Sequence, residues 1–144
     1  GPNVRKQIQA GADPSSFKYA DDYPLALLKA LRPFDLESMR LIPANEVPAK
    51  TDNPHVGVSA VTGPDAHILF VVNPDVLQTQ LTRIHCNRSQ LNIDLQKEYQ
   101  ITELTTNTDL GLVLGSNLVQ DGFELEVPPN TCLLPWISPK ASGR

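Results

Sequence analysis

The chain has 144 residues, 12 Lys+Arg against 16 Asp+Glu, and a formal net charge of −4. That length fits one compact domain, able to bury roughly 70% of its unfolded surface without help from metals or disulfides. The mild negative charge argues against a nucleic-acid binder, which would carry a basic stripe, and no apolar run approaches the ~20 residues of a membrane-spanning helix.

Residues 1–22 read as an arm. Gly1-Pro2 resembles the scar of a cleaved tag, which predicts that the natural chain extends upstream, and Gly11-Ala12-Asp13-Pro14 is turn chemistry. Residues 23–54 read as a helix and an extended connection. Leu25, Leu28 and Leu31, with Leu27 beside them, recur at the spacing of one helical face. Asp21 and Asp22 stand ahead of Pro24 as caps, and Arg32-Pro33 ends the helix because the residue before proline is pushed out of the α region. Asp35 is a candidate cap for a second short helical turn over 36–41. Pro43, Pro48 and Pro54 then mark an extended stretch.

From residue 55 the period changes from helical to strand-like. Val56, Val58 and Ala60 alternate with small or polar residues, and Gly63-Pro64-Asp65 turns the chain. Ile68 to Val72 is a continuous apolar run, which suits a central strand covered on both faces. Asn73-Pro74-Asp75 ends it, and 77–86 follows as its partner strand, with a bulge expected near Thr82 or Arg83. Residues 87–98 read as a loop or edge strand, and 99–106 as a further strand. Leu110, Leu112 and Leu114 alternate next. Gly115-Ser116-Asn117 and Gln120-Asp121-Gly122 bracket a short strand centred on Val119. Phe123, Leu125 and Val127 point inward and Glu124 and Glu126 outward. After Pro128-Pro129-Asn130 the last strand runs over 131–137. Pro135 should confine it to an edge or end it early, and 138–144 is a tail.

Thirteen prolines and a charged fraction of 19% fit many strand ends and few long helices. Short strands about ten residues apart, separated by turn signals, predict a mainly β fold. We expect an antiparallel β-sandwich of about seven or eight strands over residues 55–137, preceded by one short helical region.

The sequence carries no signature of an enzyme, a metal site or a cofactor site: no nucleophile elbow, phosphate loop, dinucleotide fingerprint or zincin motif occurs. His67 and His85 would approach each other if 73–76 made a hairpin, with Cys86 beside them. His85 and Cys86 are neighbours on a strand, however, and point to opposite faces, so the histidines read as half-exposed strand residues. Glu124 and Glu126 read as a solvated face, and Asp94, Glu98 and Glu103, within one short stretch, carry no catalytic assignment. Cys86 and Cys132 read as buried thiols. Asn87-Arg88-Ser89 is a glycosylation triplet that matters only in a secreted chain, so the compartment stays open. Phe70 and Phe123 fall at core-type positions. Trp136 and Tyr99 remain as candidate platforms for stacking a sugar.

Three segments carry a family resemblance. The run Ile68-Leu69-Phe70-Val71-Val72-Asn73 ends an apolar strand in Asn. Tyr99-Gln100-Ile101-Thr102-Glu103-Leu104 is similar to a Tyr-x-Val-x-Asp-Leu strand, and 123–134 forms a strand, Pro-rich turn and apolar return. In this order they resemble the C-terminal β-sandwich that follows the barrel in α-amylase-family glycoside hydrolases. The resemblance covers about residues 55–137 and omits the catalytic barrel. It implies a non-catalytic accessory module that packs against a protein domain, with contact to a glucan as an alternative. A further alternative is a protein-interaction module that uses residues 1–55, since that weakly patterned stretch is long for a linker.

Overall fold

The computed structural model describes residue 27 and residues 29–141. The chain divides into two units, 1–34 and 35–144. The arm, the Asp21-Asp22 cap and most of the leucine-patterned helix lie outside the described residues. Of the first unit, residues 29–31 are helical, and the chain leaves the helix at Arg32-Pro33 as expected.

The second unit is mainly β. Its strands are β1 (Arg40–Ile42), β2 (Ala49–Thr51), β3 (Gly57–Thr62), β4 (His67–Asn73), β5 (Gln80–Cys86), β6 (Glu98–Glu103), β7 (Thr108–Leu114), β8 (Phe123–Val127), β9 (Thr131–Leu133) and β10 (Pro135–Pro139). One helix, α1 (Gly115–Gln120), joins β7 to β8. A seven-stranded sheet has the order β1-β3-β4-β10-β6-β7, with β9 also on β4, and a three-stranded sheet has the order β2-β5-β8. All pairings are antiparallel. The core lies between the sheets. Leu69, Val71, Ile101 and Ile137 from the large sheet meet Ile84, Leu125 and Val127 from the small one.

Several elements differ from the expectation, each for a local reason. The expected turn over 36–41 is a single 3-10 turn, Leu36–Ser38, followed by β1. Asp35 makes no side-chain cap there; its carbonyl accepts the Ser38 hydroxyl at 2.8 Å. The extended connection supplies β2, which is only three residues long and so too short to show a period. Strand β5 does not pair with β4: it crosses to the other sheet and pairs with β2 and β8 in continuous register, without the expected bulge. The bulge lies instead between β6 and β7, where Ile101 faces Gly111 and Thr102 faces Asp109, leaving Leu110 as the extra residue. Gly111 has φ +100°, a conformation other residues rarely adopt.

Residues 115–120 form a helix, not a strand. The Gly115 N–H donates to the Lys97 carbonyl at 2.8 Å and the Ser116 N–H to the Leu95 carbonyl at 3.0 Å, which presses this backbone onto the 94–97 loop. Leu118 then turns fully into the core. Gly122, at φ +73°, ends the helix in the left-handed conformation favoured just past a C-terminus.

The last strand is central, not an edge. Its two halves pair with β4, and β10 also pairs with β6 along its whole length. Pro135 lies in the gap between the two stretches that pair with β4, and as the first residue of β10 it stands where a strand tolerates proline.

An alanine methyl at Gly115 would lie 1.9 Å from the Asp94 carbonyl oxygen, which is backbone and cannot rotate away. At Gly57 the same atom meets nothing within 4 Å. Gly115→Ala should therefore lower stability by about 3 kcal/mol or more, and Gly57→Ala by well under that. Urea unfolding midpoints of the two variants check the contrast, and equal midpoints would contradict the packing described.

Candidate functional site

Three places gather polar or aromatic chemistry: a cleft beside the β3–β4 hairpin, a buried carboxylate at the end of β6, and the outer face of the large sheet.

The cleft has a volume of about 400 Å³ and lies within the β unit, lined by Ser38, Arg40, Thr62, Asp65, Gln90 and Asn92 together with Gly63 and Pro64. Arg40 Nη2 donates to the Gln90 carbonyl at 3.2 Å, which ties β1 to the 87–97 loop. Asn92 Nδ2 donates to the Pro64 carbonyl at 2.9 Å, which ties that loop to the hairpin turn. Beneath the cleft lies His67, fully buried rather than half-exposed as expected, because its position on β4 faces the core layer. Its Nε2 is 3.0 Å from the Asn92 carbonyl, which can only accept, so Nε2 carries the proton. Nδ1 then accepts from the Thr62 hydroxyl at 2.5 Å. Burial holds the His67 pKa below its ordinary 6.5, against the opposing pull of the Asn92 carbonyl and Asp65. The imidazole is neutral and both nitrogens are engaged, so it offers the cleft no base.

The second place is Glu103, 3% exposed. It continues the inward alternation of Tyr99 and Ile101 along β6. Its Oε2 accepts the Leu134 N–H at 2.6 Å. Its Oε1 accepts the Thr106 N–H at 2.9 Å, the Thr106 hydroxyl at 3.0 Å and the Thr105 hydroxyl. Burial alone would raise the pKa, but these donors outweigh it and hold it below the ordinary 4.5. The sequence signal was available: an inward carboxylate followed closely by two threonines able to donate to it. Glu103 fixes the β6–β7 turn against the junction of β9 and β10, a structural task.

The other carboxylates do not gather around it. Asp94 accepts the Gln96 N–H at 3.0 Å, and Glu98 pairs with Lys140 at 3.4 Å. Glu124 and Glu126 face outward as expected. Glu124 meets Arg83 at 3.6 Å across an exposed surface, where such pairs contribute little. His85 lies on that same outer face with Nδ1 3.0 Å from the Gln120 carbonyl, in the sheet opposite His67. Cys86 faces the core, and burial pushes its thiol up to about 12. Cys132 is buried on β9. Asn87 Nδ2 donates to the Val47 carbonyl at 2.7 Å and its Oδ1 accepts the Ser89 N–H at 3.0 Å, so the triplet's asparagine anchors a turn. Among the described residues no group of three His, Cys, Asp or Glu is placed to hold a metal ion.

Of the two candidate platforms, Tyr99 is 2% exposed and its hydroxyl accepts the Asp94 N–H at 2.8 Å. Its ring belongs to the core and cannot be offered to a sugar. Trp136 is half-buried on the opposite side of the sheet. The register puts Leu41 beside Val61, Val61 beside Ile68, Ile68 beside Trp136 and Trp136 beside Thr102. This row crosses β1, β3, β4 and β10 on the face turned away from the small sheet. Phe70 and Val72 share that face and are half-buried, whereas Phe123 lies in the core as expected.

The two shifted groups at these sites give one pH signature. A group held below its ordinary pKa binds fewer protons when folded, so stability rises with pH through its window. His67 contributes fully above pH 6.5 and Glu103 fully above pH 4.5, and each contribution is lost as pH falls through the folded value. Glu103→Gln sets an amide against the Leu134 N–H and should cost about 2 kcal/mol at pH 7. It should also flatten the loss of stability below pH 4.5 in urea titrations. An unchanged acid limb would contradict the role given to Glu103.

No family model and no curated protein matches the chain. Among solved structures, the chain is similar to a Bacillus halodurans protein described as an α-N-acetylgalactosaminidase, at 13% identity and TM-score 0.48, over 71% of this chain and 20% of that one. It is similar to a GH27 β-L-arabinopyranosidase of Geobacillus stearothermophilus at 15% identity and TM-score 0.45, over 67% and 20%. It is also similar to α-galactosidase I of Mortierella vinacea at 12% identity and TM-score 0.42, over 67% and 24%. The chain thus spans a fifth to a quarter of the length of these chains.

Proposed function

We propose that the β unit is an accessory, non-catalytic module that packs against a partner domain of a carbohydrate-active enzyme. One observation carries the reading. The large sheet is apolar on both faces: one face packs on the small sheet, and the other bears the row Leu41, Val61, Ile68 and Trp136. An apolar sheet face is stable against another layer, so two such faces call for two layers. The second face is covered in part: Ile68 and Val61 are buried, whereas Leu41 is 65% exposed and Phe70, Val72 and Trp136 are half-buried. The sequence resemblance to a sandwich that follows an α-amylase-family barrel supplies the kind of partner. The engagement of His67, Glu103 and Glu98 in structural bonds supports the non-catalytic part.

Two measurements test this. The purified chain should release no product from a panel of nitrophenyl glycosides and oligosaccharides, and turnover that survives repurification would overturn the reading. Leu41→Asp should change the stability of the isolated chain by no more than about 0.5 kcal/mol. In a polypeptide joining the module to its barrel it should cost about 1.5 kcal/mol or more, the value of a buried leucine. Equal effects in both settings would count against a docked face.

A glucan contact is a second reading, favoured by the donors and acceptors that Arg40, Asp65, Gln90 and Asn92 bring to one cleft. Maltooligosaccharide should then move the amide NMR signals of those residues. Signals that stay still at saturating sugar exclude this reading.

A further inference from the structure

We propose that β7 is a self-pairing edge, through which two copies of this chain join their large sheets into one continuous sheet. A sheet edge presents backbone donors and acceptors to any passing strand, and proteins blunt such edges with short strands, charge and proline. Among the described residues five strands have a single neighbour, and four of them are blunted; of these β9 is only three residues long. Strand β1 is three residues long, begins with Arg40 and runs into Pro43. Strand β2 is also three residues long, follows Pro48 and has Lys50 at its centre. Strand β8 points Glu124 and Glu126 outward and ends at Pro128.

Strand β7 has none of these devices along residues 111–114; its bulge, at Leu110, precedes them. It is seven residues long and, among the described residues, has β6 as its one neighbour in the sheet. Leu110, Leu112 and Leu114 are 36%, 46% and 38% exposed, and its single charge, Asp109, lies near the start.

The occupant follows from the strand's own symmetry. Antiparallel pairing about a twofold axis at Leu112 sets Leu112 against its own copy and Leu110 against Leu114. Gly111 then faces Val113. Leucine meets leucine on the exposed face, and no like charges are opposed, as an isologous contact requires. The same register carries Asp109 to Gly115 of the second copy, so its carboxylate does not face a second carboxylate. The β6–β7 bulge sits at Leu110, outside the central three pairs.

The proposal is independent of the partner-domain reading, which concerns the face of the sheet and not its edge. Sedimentation of the full chain should give a concentration-dependent monomer–dimer equilibrium. Leu112→Lys places two ammonium groups opposite each other on the axis and should weaken the dimer at least tenfold. Leu81→Lys, at a 56% exposed position on β5, should leave it unchanged. Leu112→Cys should form a disulfide-linked dimer under mild oxidation, since directly opposed antiparallel residues lie within bridging distance; Leu81→Cys should not. A chain that stays monomeric at all concentrations with Leu112→Cys uncrosslinked overturns the proposal and leaves the edge to a strand of another protein. A dimer equally tight in the Leu112→Lys variant overturns it as well.

Discussion

The architecture depends on β4 being apolar on both sides. Leu69 and Val71 face the small sheet, and Ile68, Phe70 and Val72 face the other way. A strand of that kind must sit in the middle of its sheet, and β4 does, with β3 on one side and β9 and β10 on the other. Burying one such face accounts for the sandwich. Having the second accounts for the partner-domain reading, because the hydrophobic effect acts on both faces alike.

Antiparallel pairing alone does not fix which strand ends meet which loops, and buried polar groups supply that information. Asn73, fully buried at the end of β4, donates through Nδ2 to the Gln78 and Val127 carbonyls at 2.8 and 3.0 Å, so one side chain links the large sheet to the end of β8 in the small one. Its Oδ1 accepts the Asp75 N–H at 3.0 Å and closes the turn. Glu103 performs the equivalent task at the end of β6, and His67 joins the β3–β4 hairpin to the 87–97 loop. Each group is satisfied by neighbours, and removing one member of such a set leaves others buried without partners, which costs more than the bond contributes. The polar residues that first look like chemistry are therefore fasteners of the fold.

What could be read from the sequence tracks how local each determinant is. The alternation in Phe123–Val127 and the apolar run of β4 depend on the period of the chain itself, and both were legible. The Asn73-Pro74-Asp75 turn was legible for the same reason. Strand β5 was recognised but given the wrong partner, because its crossing to the other sheet is set by tertiary packing. Helix α1 was misread since glycines at 115 and 122 usually punctuate strands; here Gly115 allows a close backbone approach to Asp94. Pro135 interrupts the last strand, which ends at Leu133 and resumes as β10, yet that strand is central, since the start of a central strand tolerates proline as well as an edge does. At the candidate sites, Tyr99 and Glu103 obey the same inward parity. That parity buries the Tyr99 ring with Ile101, which leaves it no role as a platform. The cleft joins residues 38–40, 62–65 and 90–92, and no spacing in the sequence announces such a meeting.

The claim on which the account rests is that β4 and the strands beside it form the most deeply protected layer of the chain. Amide hydrogen exchange followed by NMR reads this directly. The account predicts that the N–H groups of Leu69, Val71, Ile101 and Ile137 exchange slowest and only through global unfolding. Exchange of the β4 amides at the rate of the 87–97 loop would contradict it.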